Sequence, residues 1–204
     1  FEMLKKSVTE LHELGNKARS RGIDAEKTVS ISLAENMAQR VVGLISVIAP
    51  QITNSGIVER IIELELQFGS LDWRVALKIA EEVALQKFCK FDSKTKAMDI
   101  GIRLGFAYVT VGVVSSPLDG IVSFEVKKRM DGKEYICINF AGPIRNAGGT
   151  AAAVSVIITD YVRKCLGYET YDVTDQEIRR AVTELQDYHE RVTNLQYVPS
   201  EHEV

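Results

Sequence analysis

The chain has 204 residues, of which 46% are hydrophobic and 26% are charged, and its formal net charge is −3. This length can bury the core of one large domain or of two small ones, and the composition excludes a disordered or collagen-like chain. The slight acidic excess argues against a domain that tracks phosphates with a broad basic surface, but it allows one local contact with nucleic acid.

The first half of the chain shows the apolar spacing of successive helices. The first predicted helix carries this spacing along residues 4–18. A second is predicted to begin near Ser32 and to end before Pro50, and a third to begin near Ser55 and to end at Gly69. We therefore predict an N-terminal helical bundle.

Two further helices are predicted, each with a capping side chain at its start. Ser70 or Asp72 is the candidate cap of the fourth helix, whose predicted buried face begins at Trp73. Asp92 or Ser93 is the candidate cap of a long fifth helix.

The fifth helix runs through residues 100–114, the most apolar stretch of the chain, which also carries Arg103. This stretch is shorter than the roughly 20 residues that a membrane span needs, so we predict a buried helix of a soluble protein with no membrane contact. Ala97, Gly101 and Gly105 place minimal side chains on one face of this helix. Each glycine costs roughly 1 kcal/mol of helix propensity relative to alanine, so we expect a second backbone to pack closely against that face.

Residues 115–120, Ser-Ser-Pro-Leu-Asp-Gly, break the helical pattern and mark the predicted domain boundary. Apolar and polar residues then alternate along residues 122–126, as in a half-buried strand. The Asp-Gly pair at 131–132 favours a tight hairpin turn. We predict a helical domain at residues 1–116 and an α+β domain at residues 117–204, so the fold class is α+β and mostly helical.

A glycine-rich segment at residues 141–150 lies between the second strand and a helix predicted at 151–166. The candidate residues for contact with a phosphate are Arg145, Asn146, Gly148, Gly149 and Thr150. Backbone N–H groups at such a helix start can bind an anion, and an arginine can add a bidentate contact. The lysine of a nucleotide P-loop is absent before Thr150. The other interpretation is a tight crossover whose glycines let the helix pack on the hairpin.

Basic residues cluster near the predicted hairpin tip, at Lys127, Lys128, Arg129 and Lys133. They are typical of a solvated hairpin whose charges protect its edge, and they are also compatible with contact to a DNA backbone. After the helix that follows, Thr174-Asp175-Gln176-Glu177 predicts a capping box for the last helix.

Cysteines and acidic residues give no catalytic pattern. Cys89, Cys137 and Cys165 lie far apart without metal-ligand spacing, so we expect buried, reduced thiols of a cytoplasmic protein. The sequence shows neither an acidic pair in a two-metal setting nor a nucleophile elbow. Four aspartates are interpreted as helix caps or surface groups: Asp92, Asp99, Asp119 and Asp160.

Several segments resemble the large subunit of the archaeal family D DNA polymerases, in the family's order along essentially the whole chain. The most specific is Phe140-Ala141-Gly142-Pro143-Ile144-Arg145-Asn146-Ala147-Gly148-Gly149-Thr150-Ala151. The others include Leu33-Ala34-Glu35-Asn36-Met37-Ala38, Val113-Val114-Ser115-Ser116-Pro117-Leu118-Asp119-Gly120, Tyr188-His189-Glu190-Arg191 and Leu195-Gln196-Tyr197-Val198-Pro199-Ser200-Glu201. Asn146 departs from the family pattern, which has a small hydroxyl residue there, and Ser115 and Ser116 stand where smaller residues are expected.

The resemblance implies the N-terminal, non-catalytic part of a replicative polymerase subunit. It implies magnesium for the whole polymerase and no cofactor in this part, since the catalytic aspartates of the family lie later in the subunit. The implied partners are a small subunit with 3′–5′ exonuclease activity, the rest of the large subunit and primer–template DNA. A KH-like α+β module is implied for residues 117–204. The chain begins at Phe1 without methionine, and we expect it to be a piece of a longer protein.

Two other functions stay open at this point. One is an independent KH-type module that binds RNA or single-stranded nucleic acid through the glycine-rich loop. The other is an enzyme that binds a small phosphate compound, which requires acids or bases around Gly148 and Gly149 that the local sequence does not supply.

Overall fold

The computed structural model describes residues 2–24, 26, 29, 33–110, 115–145, 149–192 and 194–204. The helices are α1 Glu2–Ser20, α2 Met37–Ser46, α3 Ile57–Phe68, α4 Trp73–Ala84, α5 Lys94–Val109, α6 Ser115–Asp119, α7 Gly142–Arg145, α8 Thr150–Leu166 and α9 Asp175–Arg191. A single turn of 3-10 helix covers Pro50–Ile52. The strands β1 Ile121–Lys128 and β2 Glu134–Phe140 form an antiparallel hairpin. The predicted fold class, mostly helical α+β, is confirmed.

The helices α4 and α5 pack against each other at the centre of the fold. A Cβ atom added at Gly101 would lie 2.5 Å from the backbone oxygen of Ala80, and one at Gly105 would lie 2.8 Å from that of Ala76. Side chains larger than hydrogen do not fit at these distances, which confirms the close approach that the glycine spacing predicts.

Two apolar cores lie on either side of this helix pair. The first is built from α2, α3 and the faces of α4 and α5 that carry Ile79 and Leu104. The second is built from α7, α8, the hairpin and the faces of α4 and α5 that carry Ala80 and Phe106. Because α4 and α5 supply side chains to both cores, they join the helical part of the chain to the hairpin. The division at residues 116 and 117 stays a prediction.

Helix starts follow local capping chemistry. The side chains of Asp72 and Ser93 cap α4 and α5, and Thr174 forms a capping box with Glu177 at α9, as predicted. The predicted start of the second helix was wrong. The Asn36 side chain accepts a hydrogen bond from the Gln39 N–H, so α2 begins at Met37, and Ser32 lies outside the described residues.

Two other boundaries also differ from the prediction. The third helix, α3, begins at Ile57, because Gly56 takes the left-handed backbone at φ +91° in front of it. The segment at 115–120 was predicted to break the helical pattern, but residues 115–119 form the short helix α6. The fifth helix ends at Val109, and residues 111–114 lie outside the described ones.

The first and last helices lie apart from the two cores. Neither α1 nor α9 has a buried residue, and Leu4, Leu11 and Leu14 of α1 are 60–67% exposed. Trp73, predicted to be buried, is 43% exposed at the start of α4. An amphipathic pattern identifies the face that suits burial, but it does not supply the partner that covers this face.

The cysteines also differ from the prediction of three buried thiols. Cys89 and Cys137 are half-buried, whereas Cys165 in the last turn of α8 is exposed. Burial raises the pKa of the Cys89 thiol, which favours its protonated, less reactive form.

Candidate nucleic-acid interface

The glycine-rich segment begins with a short helix that is anchored in the second core. Ile144 of α7 is completely buried among the apolar side chains of that core. Arg145 is the last residue of α7, and its side chain lies outside what the structure describes, as do residues 146–148 with the candidates Asn146 and Gly148. The segment is therefore held to the core immediately before its candidate arginine.

The glycine-rich segment ends where α8 begins. Gly149 takes the left-handed backbone at φ +85° and precedes Thr150, and both are exposed. The Ala153 N–H donates to the Gly149 carbonyl at 2.9 Å, but the N–H groups of the first turn of a helix have no acceptor within it. The start of α8 thus presents backbone N–H donors beside Gly149, whose left-handed backbone conformation favours glycine.

Arg103 is a structural residue whose role sequence reasoning missed. Its guanidinium donates to the carbonyls of Pro117 and Leu118 at 2.8 and 2.6 Å, and to that of Ile121 at 2.8 Å. Its Nε donates to Asp99 at 2.6 Å, so each nitrogen of a guanidinium in a residue that is 6% exposed donates at least one hydrogen bond. These bonds fix α6 and the start of β1 against α5.

The sequence offered one signal of this role. An arginine inside the most apolar stretch of the chain needs buried partners, since an unpaired buried charge is costly. Asp99 lies four residues away, at helical spacing, but the carbonyl partners lie 14–18 residues away, beyond its reach. The aspartate that was predicted to be a cap or surface group, Asp99, is therefore part of a buried pair.

Arg129, at the end of the hairpin, is directed into the protein. It donates to the Thr170 carbonyl at 2.9 Å, and its side chain is 18% exposed. Three carboxylates lie around its guanidinium, those of Asp131, Asp172 and Glu169, at 3.3, 3.6 and 3.8 Å. The charge of Arg129 is therefore balanced within the chain.

The neighbouring lysines are also near carboxylates. Lys133 donates to Glu169 at 2.9 Å, which holds the pKa of that carboxyl below its usual value. Lys127 lies 3.2 Å from Glu125, which raises the pKa of the lysine. Lys128 is exposed at the last position of β1. Of the basic residues predicted on the hairpin, Lys127 and Lys128 are exposed, whereas Arg129 is half-buried.

The two groups of candidate residues do not form one site. Arg145 ends α7, and Gly149 and Thr150 lie at the start of α8. The hairpin tip contacts Glu169 and Thr170, which follow the end of α8. A helix of 17 residues is about 25 Å long, so α8 separates the two groups by about this distance. A single phosphate could contact only one of them.

Within the described part of the chain, no group of three or more His, Cys, Asp or Glu side chains is arranged to hold a metal ion. In the same residues, none of the helices combines the length and the apolarity that a membrane span requires.

Comparison with known proteins identifies the family of the chain. The family model described as "DNA polymerase II large subunit DP2, N-terminal" matches residues 1–204. The chain belongs to this family. The resemblance found in the sequence is thereby confirmed over the whole chain.

Relatives in the DNA polymerase II large subunit family come from several archaeal sources. The "DNA polymerase II large subunit" of Nanoarchaeum equitans is 47% identical over 204 residues, covering 100% of this chain and 16% of the relative. The proteins of the same name from Methanothermobacter thermautotrophicus and Pyrococcus furiosus are 42% and 40% identical over 206 residues, covering all of this chain and 18% and 16% of the relatives. The chain thus spans less than a fifth of the length of these relatives.

Proposed function

We propose that this chain is the N-terminal, non-catalytic portion of the large subunit of a replicative archaeal DNA polymerase, in which it supports folding and assembly. The observation that carries the proposal is the family match over all 204 residues. The whole polymerase would perform template-directed DNA synthesis with magnesium in the cytoplasm. It would include the rest of the large subunit and a small subunit with 3′–5′ exonuclease activity.

The roles of the acidic side chains support a structural function. Asp99 is bound to Arg103, and Glu82 of α4 accepts two hydrogen bonds from Arg60 of α3 at 2.8 and 2.9 Å. Asp160 accepts from Arg163 at 2.7 Å. These carboxylates stabilise the fold, and each is already neutralised by an arginine of this chain.

The test is primer extension by the 204-residue chain and by the assembled polymerase. We expect no nucleotide incorporation by the isolated chain with magnesium or manganese. In the assembled polymerase, Asp160→Asn should leave the incorporation rate within roughly twofold of wild type, because this exposed carboxylate bonds only within its own helix. A loss of more than about a hundredfold in an Asp160→Asn polymerase that assembles normally would refute the proposal, since it would indicate a catalytic group.

A contact with primer–template DNA is a second proposed role. The observation that favours it is the anchored Ile144, which places the candidate Arg145 directly beside the core and before the exposed start of α8. This role is compatible with the structural one, since a rigid loop can hold an exposed arginine. An independent KH-type module is the alternative, and salt-dependent binding of single strands by the isolated chain would favour it.

A further inference from the structure

The last helix, α9, has an apolar face without a partner among the described residues. Its apolar residues recur at the three- and four-residue spacing of a helix–helix contact: Ile178, Ala181, Leu185, Tyr188 and Val192. These residues are called the α9 face below. Ile178, Tyr188 and Val192 are 39%, 46% and 68% exposed, and α9 has no buried residue.

The α9 helix has the local interactions that stabilise a helix on its own. Thr174 and Glu177 form a complete capping box at its start. On its polar side, Arg180 donates to Glu184 at 2.7 Å, one turn further on. Beyond the end of α9, the Leu195 N–H donates to the ring nitrogen Nδ1 of His189. An end-capped, ion-paired helix with an uncovered apolar face is typical of a helix that docks against another element.

The length of the relatives indicates what covers this face. In them, more than four fifths of the polypeptide lies outside the region that this chain matches. An apolar stripe of five residues that stayed exposed in a protein of that size would promote aggregation. On its polar side, α9 holds two ion pairs within the helix, Arg180–Glu184 and Arg191–Asp187, so these charges are already balanced and the α9 face offers apolar packing.

We propose that the α9 face docks against an apolar surface of the remaining part of the same large-subunit polypeptide. The contact joins this N-terminal portion to the rest of the subunit, and it rests on the proposed function. The partner surface is apolar. Surfaces of this kind bind an amphipathic helix through the helix residues at positions i, i+3 and i+7.

The experiment uses the full-length large subunit, purified without the small subunit, and measures hydrogen–deuterium exchange of the α9 amides at two protein concentrations. Leu185→Glu places a charge on the α9 face but keeps a residue with good helix propensity. We expect it to accelerate exchange in α9 by at least roughly tenfold, because docking then no longer restricts local opening.

Thr183→Glu is the matched control. Thr183 is exposed on the opposite side of α9, so the same new charge there should leave the exchange rates unchanged. Equal rates in wild type and Leu185→Glu would overturn the proposal. Protection that appears only when the small subunit is added would overturn it in favour of that subunit, and protection that grows with concentration would overturn it in favour of a second copy. Primer extension by the assembled wild-type polymerase tests the proposed function separately.

Discussion

At the scale of single residues, Arg103 carries the largest expected effect on stability. Its substitution by methionine keeps a long apolar stem in the core, but it leaves three carbonyl groups without their donor and leaves Asp99 with Lys96 alone. Breaking a buried charge pair by removing one partner costs roughly 3–5 kcal/mol. We expect Arg103→Met to lower the free energy of unfolding by about this amount, as measured by urea unfolding followed by circular dichroism.

Lys96→Met is the control for the Arg103 variant. Lys96 also pairs with Asp99, at 3.1 Å, but its side chain is 39% exposed. Partly exposed pairs contribute up to roughly 1 kcal/mol, so its loss should be small. Comparable losses in the two variants would contradict the role given to the Arg103 hydrogen bonds.

Arg145 is the residue that decides whether the glycine-rich loop contacts DNA. If the proposed contact exists, Arg145→Ala in the assembled polymerase should weaken primer–template binding and reduce the salt slope by about one phosphate contact. The measurement is DNA affinity at two salt concentrations. Lys133→Ala is the comparison, because its ammonium is already bound to Glu169. Unchanged affinity and slope in the Arg145 variant would remove the DNA contact from the proposed function.

At the scale of elements, an ion pair between half-buried Arg60 and buried Glu82 joins α3 to α4. Burial favours the protonated form of Glu82, but the hydrogen bonds and charge of Arg60 outweigh it and lower the pKa of this carboxyl below its ordinary 4.5. A lowered folded-state pKa means that the ionised carboxylate stabilises the fold above about pH 4.5 and that this contribution is lost as the pH falls through the lower folded-state value.

Glu82→Gln should therefore destabilise the chain in a pH-dependent way. At pH 7 we expect a loss of roughly 1–3 kcal/mol, because a charged acceptor in a buried site is replaced by a neutral one. The difference from wild type should shrink as the pH falls below 4.5 and through the lowered folded-state pKa of Glu82, where its carboxylate becomes protonated. Urea unfolding from pH 7 to pH 3 measures it. Glu63→Gln should have little effect, since Glu63 also pairs with Arg60 but is 64% exposed. A loss that does not depend on pH would contradict the prediction.

Local sequence patterns predicted the helices and strands better than they predicted what packs around each of them. The caps at Asp72, Ser93 and Thr174 could be found because capping acts within three residues along the chain. The close contact at Gly101 could be found because two small residues at helical spacing need a packing reason. Such signals are short in range, and they therefore fix helix starts and contact faces.

The charges of the candidate site could not be predicted in the same way. The ion pairs of Arg129 with Glu169 and Asp172 join residues about 40 positions apart, and they form only because β2 and the end of α8 meet. The sequence therefore showed a basic cluster at the hairpin tip, and the structure shows one whose charge is largely balanced. Burial of the apolar faces of α1 and α9 likewise depends on elements distant in sequence that would pack against them.

At the scale of the whole molecule, the shared helix pair determines how the two cores unfold. The cores include opposite faces of α4 and α5, so neither can lose this pair without exposing apolar side chains of the other. Gly105 illustrates the coupling, since an added Cβ there would meet both Ala76 of α4 and Ile158 of α8. We expect the described cores to unfold in one cooperative transition.

The substitution Gly101→Ala tests this coupling most directly. Its Cβ would lie 2.5 Å from the Ala80 oxygen and 3.0 Å from the Ala84 nitrogen, so α4 and α5 must move apart. Overpacking of this kind costs roughly 1–3 kcal/mol, against at most about 1 kcal/mol gained in helix propensity.

Gly43→Ala in α2 is the matched control, because nothing lies within 4 Å of its added Cβ and helix propensity alone should stabilise the chain. Trp73 fluorescence reports on α4, and hydrogen exchange in α8 reports on the second core. Both signals should shift together to lower urea concentration in Gly101→Ala and to slightly higher concentration in Gly43→Ala. Separate transitions at the two probes would show instead that the chain consists of two independent domains, as the division at residues 116 and 117 predicts.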